Sequence, residues 1–276
     1  MKQFPTTPSV ADAPDDLLSG HLWILELIDG RPLRFQLQDS GLLRVGDAGT
    51  VYDDPDAAPL PLQRAVRHIR ESLDRETLRA AVDDVEQVTF FGVATTREST
   101  PYELDLMPSF LGTEVWSADS QAFRPPGAAD GIFGRLGLDP INTFEREYHA
   151  RDFAVDSYEI PQSAWYDGPA AGVVIRNKQG QRGKLTNDAV ETSDDEQPSD
   201  RTADKLTETH ATADEVKSVT TTLESAGQPV TVDAVTDRLL ETIGRKHPTQ
   251  VTGSGSVDTD TLRSAIASRV QQLLEQ

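Results

Sequence analysis

Hydrophobic and polar positions along this chain fall into blocks whose period changes several times. Residues 22–28 (Leu-Trp-Ile-Leu-Glu-Leu-Ile) are apolar at all but one position, the pattern of a central strand. Asp29, Gly30 and Pro32 then punctuate a turn. Leu33, Phe35 and Leu37 alternate with Arg34 and Gln36 as a half-buried returning strand, so the two runs read as a hairpin. Residues 42–45 suit a further short strand. The period then becomes helical: Leu62, Ala65, Val66, Ile69 and Leu73 take one face, Arg64, Arg67 and Arg70 the other. Salt bridges to an acidic surface are the simplest use of those arginines, and His68 reads as a surface residue. Asp74 is placed to cap a second helix carrying Leu78, Ala81 and Val82. Strands return at residues 87–94 and 109–117, separated by a polar loop at 95–107. A weak helix around 128–136 is interrupted by Gly131 and Gly134. Residues 171–177 and 183–185 bracket Lys178-Gln179-Gly180-Gln181 as strand, turn and strand.

The pattern breaks at both ends. Residues 1–20 carry Pro5, Pro8 and Pro14 without an apolar period and read as an extended lead-in. Residues 186–200 hold six acids, no base and one Pro, the composition of a flexible linker. Beyond them, Val216, Val219 and Leu223, then Val232, Val235, Leu239 and Ile243, then Leu262, Ile266, Val270, Leu273 and Leu274 mark three amphipathic helices, with a Gly/Ser joint at 252–256. The expected organisation is one larger domain at 1–185, a linker at 186–200 and a small helical domain at 201–276.

Composition narrows the classes. The absence of Cys excludes disulfides and thiolate metal sites. No apolar run approaches the roughly 20 residues of a membrane span, and the N-terminus lacks the apolar core of a signal peptide, so a cytoplasmic protein without membrane contact is expected. Net charge is −20, with six Lys against twenty Arg. The acid excess is spread over both parts of the chain, as in proteins adapted to high salt, where charge repulsion is screened. Such charge opposes nonspecific nucleic-acid binding but leaves room for a local basic groove. Asp53, Asp54 and Asp56, beside Pro55, read as a solvated turn rather than a metal site.

Several of these strands together resemble the ATP-dependent RNA ligase family of covalent nucleotidyltransferases, in order and spacing over most of residues 1–185. Glu26, Asp29, Gly30, Leu33, Arg34 and Phe35 match the surroundings of the first motif, Lys-any-Asp-Gly. Phe90-Phe91-Gly92 matches the strand that ends in Gly-Glu. Pro108-Ser109-Phe110-Leu111-Gly112, with Val115-Trp116, resembles the strand whose aromatic lies along the adenine. Gly172-Val173-Val174-Ile175-Arg176 matches a motif that begins Glu-Gly, and Lys184 the Lys of the final strand. The resemblance implies an α+β fold: an ATP-grasp-like RNA/DNA ligase adenylation (nucleotidyltransferase) domain of antiparallel sheets, here followed by a small C-terminal helical domain.

The family's chemistry needs an amine nucleophile in line with the α-phosphate, and cations to neutralise the developing phosphate charge. Here Leu27 stands at the nucleophile position. Val93 and Ala171 stand where two carboxylates belong, and Asp47-Ala48-Gly49 lacks an expected Arg. The three replacements come from separate strands that the family brings to one cleft, and they predict a drier, mutually packed pocket. The resemblance leaves Glu26, Asp29, Gly30, Arg34, Trp116 and Lys184 as nucleotide-binding candidates. The expectation is a catalytically degenerate RNA-ligase-like protein that binds a nucleotide, an RNA end or a protein partner. Its rival is an active ATP-dependent RNA ligase, requiring ATP and Mg²⁺, that joins RNA 5′-phosphate and 3′-hydroxyl ends.

Overall fold

The computed structural model describes residues 1–187, 202–253 and 255–275. In chain order the strands are β1 (His21–Glu26), β2 (Arg31–Leu37), β3 (Leu43–Gly46), β4 (Val51–Tyr52), β5 (Val88–Ala94), β6 (Phe110–Ser117), β7 (Ala122–Phe123), β8 (Thr143–His149), β9 (Gly172–Asn177) and β10 (Arg182–Thr186). The helices are α1 (Leu60–Ser72), α2 (Arg75–Ala81), α3 (Pro126–Arg135), α4 (Ala203–His210), α5 (Ala213–Ser225), α6 (Val232–Lys246), α7 (Pro248–Val251) and α8 (Thr259–Leu274). The strands form a four-stranded sheet, ordered β10-β9-β1-β8, and a six-stranded sheet, ordered β4-β3-β2-β5-β6-β7.

The expected hairpin of β1 and β2 does not form. β1 is interior to the four-stranded sheet, antiparallel to β8 and β9. β2 is interior to the six-stranded sheet, antiparallel to β3 and β5. The reason lies in the connection, which is bonded to other elements on both sides. The Leu27 amide donates to the Gly172 carbonyl at 3.0 Å. The Asp29 amide donates to the Tyr102 hydroxyl at 2.9 Å. Gly30 presses on β5 so closely that a Cβ there would lie 2.7 Å from the Ala94 carbonyl oxygen, which only Gly tolerates. Asp29-Gly30 is therefore a crossing from one sheet to the other.

Three apolar layers follow. Leu33, Phe35, Phe90 and Phe110 on the outer face of the six-stranded sheet pack against Leu62, Val66 and Ile69 of α1 and Phe133 of α3. Trp23 and Leu25 of β1 meet Leu111 of β6 between the two sheets, with Tyr102 and Ile141. Leu22, Ile24, Val173 and Ile175, on the far face of the four-stranded sheet, are covered by Leu17 and Phe153. Asp74 caps α2 as its sequence predicts, accepting from the Thr77 amide at 2.8 Å.

A fourth cluster belongs to the helices beyond residue 202, where Val216, Leu239, Ile243, Leu262, Ile266 and Val270 are all buried. The stripes read from the sequence line it, except Leu274, which is exposed. This bundle is bolted to the sheets through α1. Arg67 makes a forked pair with Glu241, and Arg238 reaches Glu71 at 2.8 Å. Two arginines of that face of α1 thus carry salt bridges, Arg67 to Glu241 and Arg70 to Asp56. His68 departs from its expected surface position: its side chain is only 26% exposed and lies 4.0 Å from Asp139, and burial holds its pKa below the usual imidazole value. The expected linker lies, from residue 188 onward, outside the described residues. No described helix is long and apolar enough to cross a membrane.

Candidate functional site

Strand alternation decides which side chains can meet. On the four-stranded sheet, Leu25, Val174, Arg176, Arg182 and Lys184 share the face turned toward the other sheet, since paired residues Leu25–Val174, Val174–Lys184 and Arg176–Arg182 are in register. On the six-stranded sheet, Arg34 pairs with Phe91, and Phe91 with Glu114. One irregularity matters: between Phe91 and Gly92 the register shifts by one residue. The bulge lets both Thr113 and Glu114 line the space between the sheets.

The first-motif residues form a separate, open pocket of about 260 Å³, lined by Leu27, Ile28, Asp29, Gly30, Ser99, Thr100, Ala171, Thr186 and Asn187. Leu27 and Ala171 therefore line one pocket. Val93 stands outside, packed against Gly30, within the apolar cluster around Leu25 and Leu111. The pocket is not the dry, mutually packed patch that the sequence suggests, because the backbone and side chains of the 99–100 loop enter it. The Asp29 carboxylate accepts from the Ser99 amide and hydroxyl at 2.9 and 2.6 Å, and from the Thr100 amide and hydroxyl at 2.9 and 3.1 Å. Burial works against its charge, yet these bonds hold its pKa below the usual carboxylate value. Among the described residues no Lys lines this pocket.

The other candidates gather between the sheets. Glu26 is 1% exposed and already bonded: it accepts from Ser163 Oγ at 2.6 Å, Asn142 Nδ2 at 2.9 Å and the Ala164 amide at 3.3 Å. Glu114, which sequence reasoning missed, ties the two sheets together by pairing with Arg182 at 2.5 Å and Arg176 at 3.4 Å. Arg34 is 1% exposed; burial lowers its pKa and the Asp47 charge partly restores it. Its Nη1 donates to the Lys2 carbonyl at 3.0 Å, and its Nε has no partner. Trp116 stacks edge-on with Phe123 at 4.8 Å and carries the Lys2 ammonium 4.0 Å above its ring. Lys184 is exposed on β10, and its amide donates to the Pro8 carbonyl at 2.9 Å.

The lead-in is the part that sequence reasoning did not place. Phe4 meets Phe91 edge-on at 5.0 Å and lies 5.5 Å beneath the Arg34 guanidinium. Phe4, Pro5 and Thr7 roof a cavity of about 130 Å³, floored by Leu25, Phe91, Val174 and Arg176 with Glu26 and Glu114 in its wall. An isolated Phe in a proline-marked segment was the available signal.

The donor set does not suit the Mg²⁺ that the resemblance implies. A hard cation needs carboxylates free to ligate. Glu26 and Glu114 are spent on protein donors, Asp29 gives one carboxylate oxygen, Oδ2, to Ser99 and Thr100, and Val93 and Ala171 supply no oxygen. No group of three or more acidic or His side chains among the described residues is placed to hold a metal.

No family model matches this sequence, and no curated protein sequence matches it. Solved structures do. A Naegleria gruberi RNA ligase with PPi superposes over 68% of this chain and 56% of its own, at 13% identity and a TM-score of 0.51. A mutant of that ligase with AMP and Mn covers 71% of this chain and 59% of its own, at 13% identity and 0.52. An archaeal ATP-dependent RNA ligase covers all of this chain and 66% of its own, at 14% identity and 0.46. The chain therefore spans less than two thirds of the ligases it matches. Its fold is that of the RNA ligase nucleotidyltransferase domain, an α+β arrangement of two antiparallel sheets with helices.

Proposed function

We propose that this protein is an RNA-ligase-fold binding protein that forms no lysyl-adenylate. One observation carries the reading: Leu27 stands in the first-motif pocket beside Asp29 and Ala171, and no described Lys lines that pocket. The nearest alternatives are engaged or distant in role. Lys178 pairs with Glu147 at 2.8 Å, Lys2 sits on Trp116, and Lys184 is exposed on β10. The missing carboxylates at Val93 and Ala171 agree with the missing amine, since neither the metal nor the ribose would be held. What the cleft keeps is aromatic rings and guanidinium groups between two sheets, which suit a nucleotide or a nucleotide-bearing RNA end. The acid excess favours a working environment of high salt, inside the cell, and the two-part organisation at 1–185 and 201–276 is part of the same proposal.

Incubation with labelled ATP and Mg²⁺, followed by a denaturing gel, tests it. The expected result is no adenylylated protein. Leu27→Lys alone should also stay unlabelled, and Leu27→Lys with Val93→Glu and Ala171→Glu is the variant with the elements for a lysyl-adenylate. Covalent labelling of the parent chain would establish the rival, an active ATP-dependent RNA ligase.

A further inference from the structure

We infer that residues 2–7 are a built-in occupant of the inter-sheet cleft, and that a ligand joining a planar ring to an oxyanion enters it by displacing them. The inference rests on the reading of this chain as a binding protein and adds how its site is regulated. Each contact of the segment stands in for part of such a ligand. The Phe4 ring lies against Phe91, where a base would stack. The Lys2 carbonyl oxygen takes Arg34 Nη1, where a phosphate oxygen would sit. A carbonyl satisfies only part of a guanidinium fork, and Arg34 Nε is left without a partner; a phosphate would take both edges. The Arg176 Nε, from a residue 1% exposed on the cavity floor, is likewise unpartnered.

Size points the same way. Ligand pockets run to about 300–1,000 Å³, and the space beneath the segment is about 130 Å³. A nucleotide does not fit while Phe4, Pro5 and Thr7 roof it. The anchoring is graded along the chain. Val10 and Ala13 pack on the cluster around Leu17, which is 1% exposed, and Ser9 bridges to Lys184. Residues 2–7 are tied to the sheets by one described hydrogen bond, from Arg34 to the Lys2 carbonyl. The segment is built to swing at Pro8-Ser9 while the chain beyond stays seated.

The test measures ATP binding by titration calorimetry without metal, on the full chain and on two full-length variants. Phe4→Ala removes the ring that competes for Phe91 and should tighten ATP binding at least tenfold. Lys2→Gln removes the ammonium from Trp116; Lys2 is exposed, so the fold does not depend on it, and binding should tighten several-fold. Equal affinity in the parent and the folded variants, or no binding in any of them, overturns the inference. Adenylylation is read on the same samples. A covalently labelled Phe4→Ala chain with tightened binding would remove the non-adenylylating reading and leave the displaced segment standing. Unchanged binding without labelling does the opposite.

Discussion

Two peripheral pieces dock on the sheets of this protein, and they are held by different physics. The C-terminal bundle is fastened by buried, charge-assisted bonds. Arg245 of α6 is 9% exposed and donates to the Thr95 carbonyl at 2.8 Å, Thr95 Oγ1 at 2.7 Å and the Met107 carbonyl at 2.7 Å. Burial pulls its pKa down to about 10, still far above neutrality, so the guanidinium stays charged and its bonds stay strong. The Glu241 carboxylate, 6% exposed, takes the Arg67 fork. The N-terminal segment is fastened by one ring edge, one ammonium over an exposed-side ring and one guanidinium–carbonyl bond. The lesson is that the first attachment is architecture and the second is exchangeable.

The largest expected effect breaks the first attachment. Arg245→Ala leaves two buried carbonyls and a hydroxyl without their donor, a loss on the order of 4 kcal/mol. That lowers the midpoint of thermal unfolding by roughly 10 °C. The same loop, residues 95–108, carries Ser99 and Thr100, so the Asp29 cap should loosen with it, seen as faster hydrogen exchange at those two amides. Glu241→Gln comes next. It leaves Arg67 half-buried without its carboxylate and should cost about 2 kcal/mol by denaturant titration. If either variant unfolds like the parent, the bundle is not held as the geometry indicates.

How much of this was legible in the sequence follows from what each signal encodes. The period of the apolar positions identified β1, α1, α5, α6 and α8 and placed their buried positions apart from Leu274, which is exposed at the end of α8, because burial is what the pattern records. It gave no partner for a strand, so β1 and β2 were joined as a hairpin when the crossing at Asp29-Gly30 sends them to different sheets. β8 (Thr-Phe-Glu-Arg-Glu-Tyr-His) was missed altogether, because a half-exposed strand at a sheet edge carries too little apolar alternation. Glu114 was hidden by the bulge, which turns inward a residue that simple alternation with Thr113 would turn outward. The Leu27 and Ala171 juxtaposition was readable only through the family resemblance, and the docking of Phe4 through nothing but a lone aromatic.

Asp29 offers a smaller effect with a pH signature. Asp29→Asn keeps the shape but loses the charge that gathers four donors, at a cost of roughly 2 kcal/mol at neutral pH. Its folded pKa lies below the ordinary 3.8. A carboxylate so depressed contributes stability above its unfolded pKa and loses it as pH falls through the folded one. The stability gap between parent and Asp29→Asn should therefore be constant above about pH 5 and close below pH 3.8. A gap that is unchanged in acid would mean that the Ser99-Thr100 loop does not recognise charge.

The smallest effect on stability is the one that most sharpens the contrast. An edge-on aromatic pair is worth about 0.5–1.5 kcal/mol beyond its area, and Phe4 is half-exposed, so Phe4→Ala should barely move the global unfolding midpoint. Its effect is local. The chain has no Cys, so a single Cys introduced at Leu25, buried on the cavity floor, is the sole target for a maleimide. Labelling then reports how often the roof opens, because it requires a local opening rather than global unfolding. If Phe4 holds the roof by about 1.4 kcal/mol, its removal raises the open population, and the labelling rate, roughly tenfold. Glu241→Gln in the same Leu25→Cys background should leave that rate unchanged despite its larger cost to the whole molecule. Were the two variants to accelerate labelling equally, the cavity would be opening by loosening of the entire sandwich, and the segment at residues 2–7 would be architecture like the bundle.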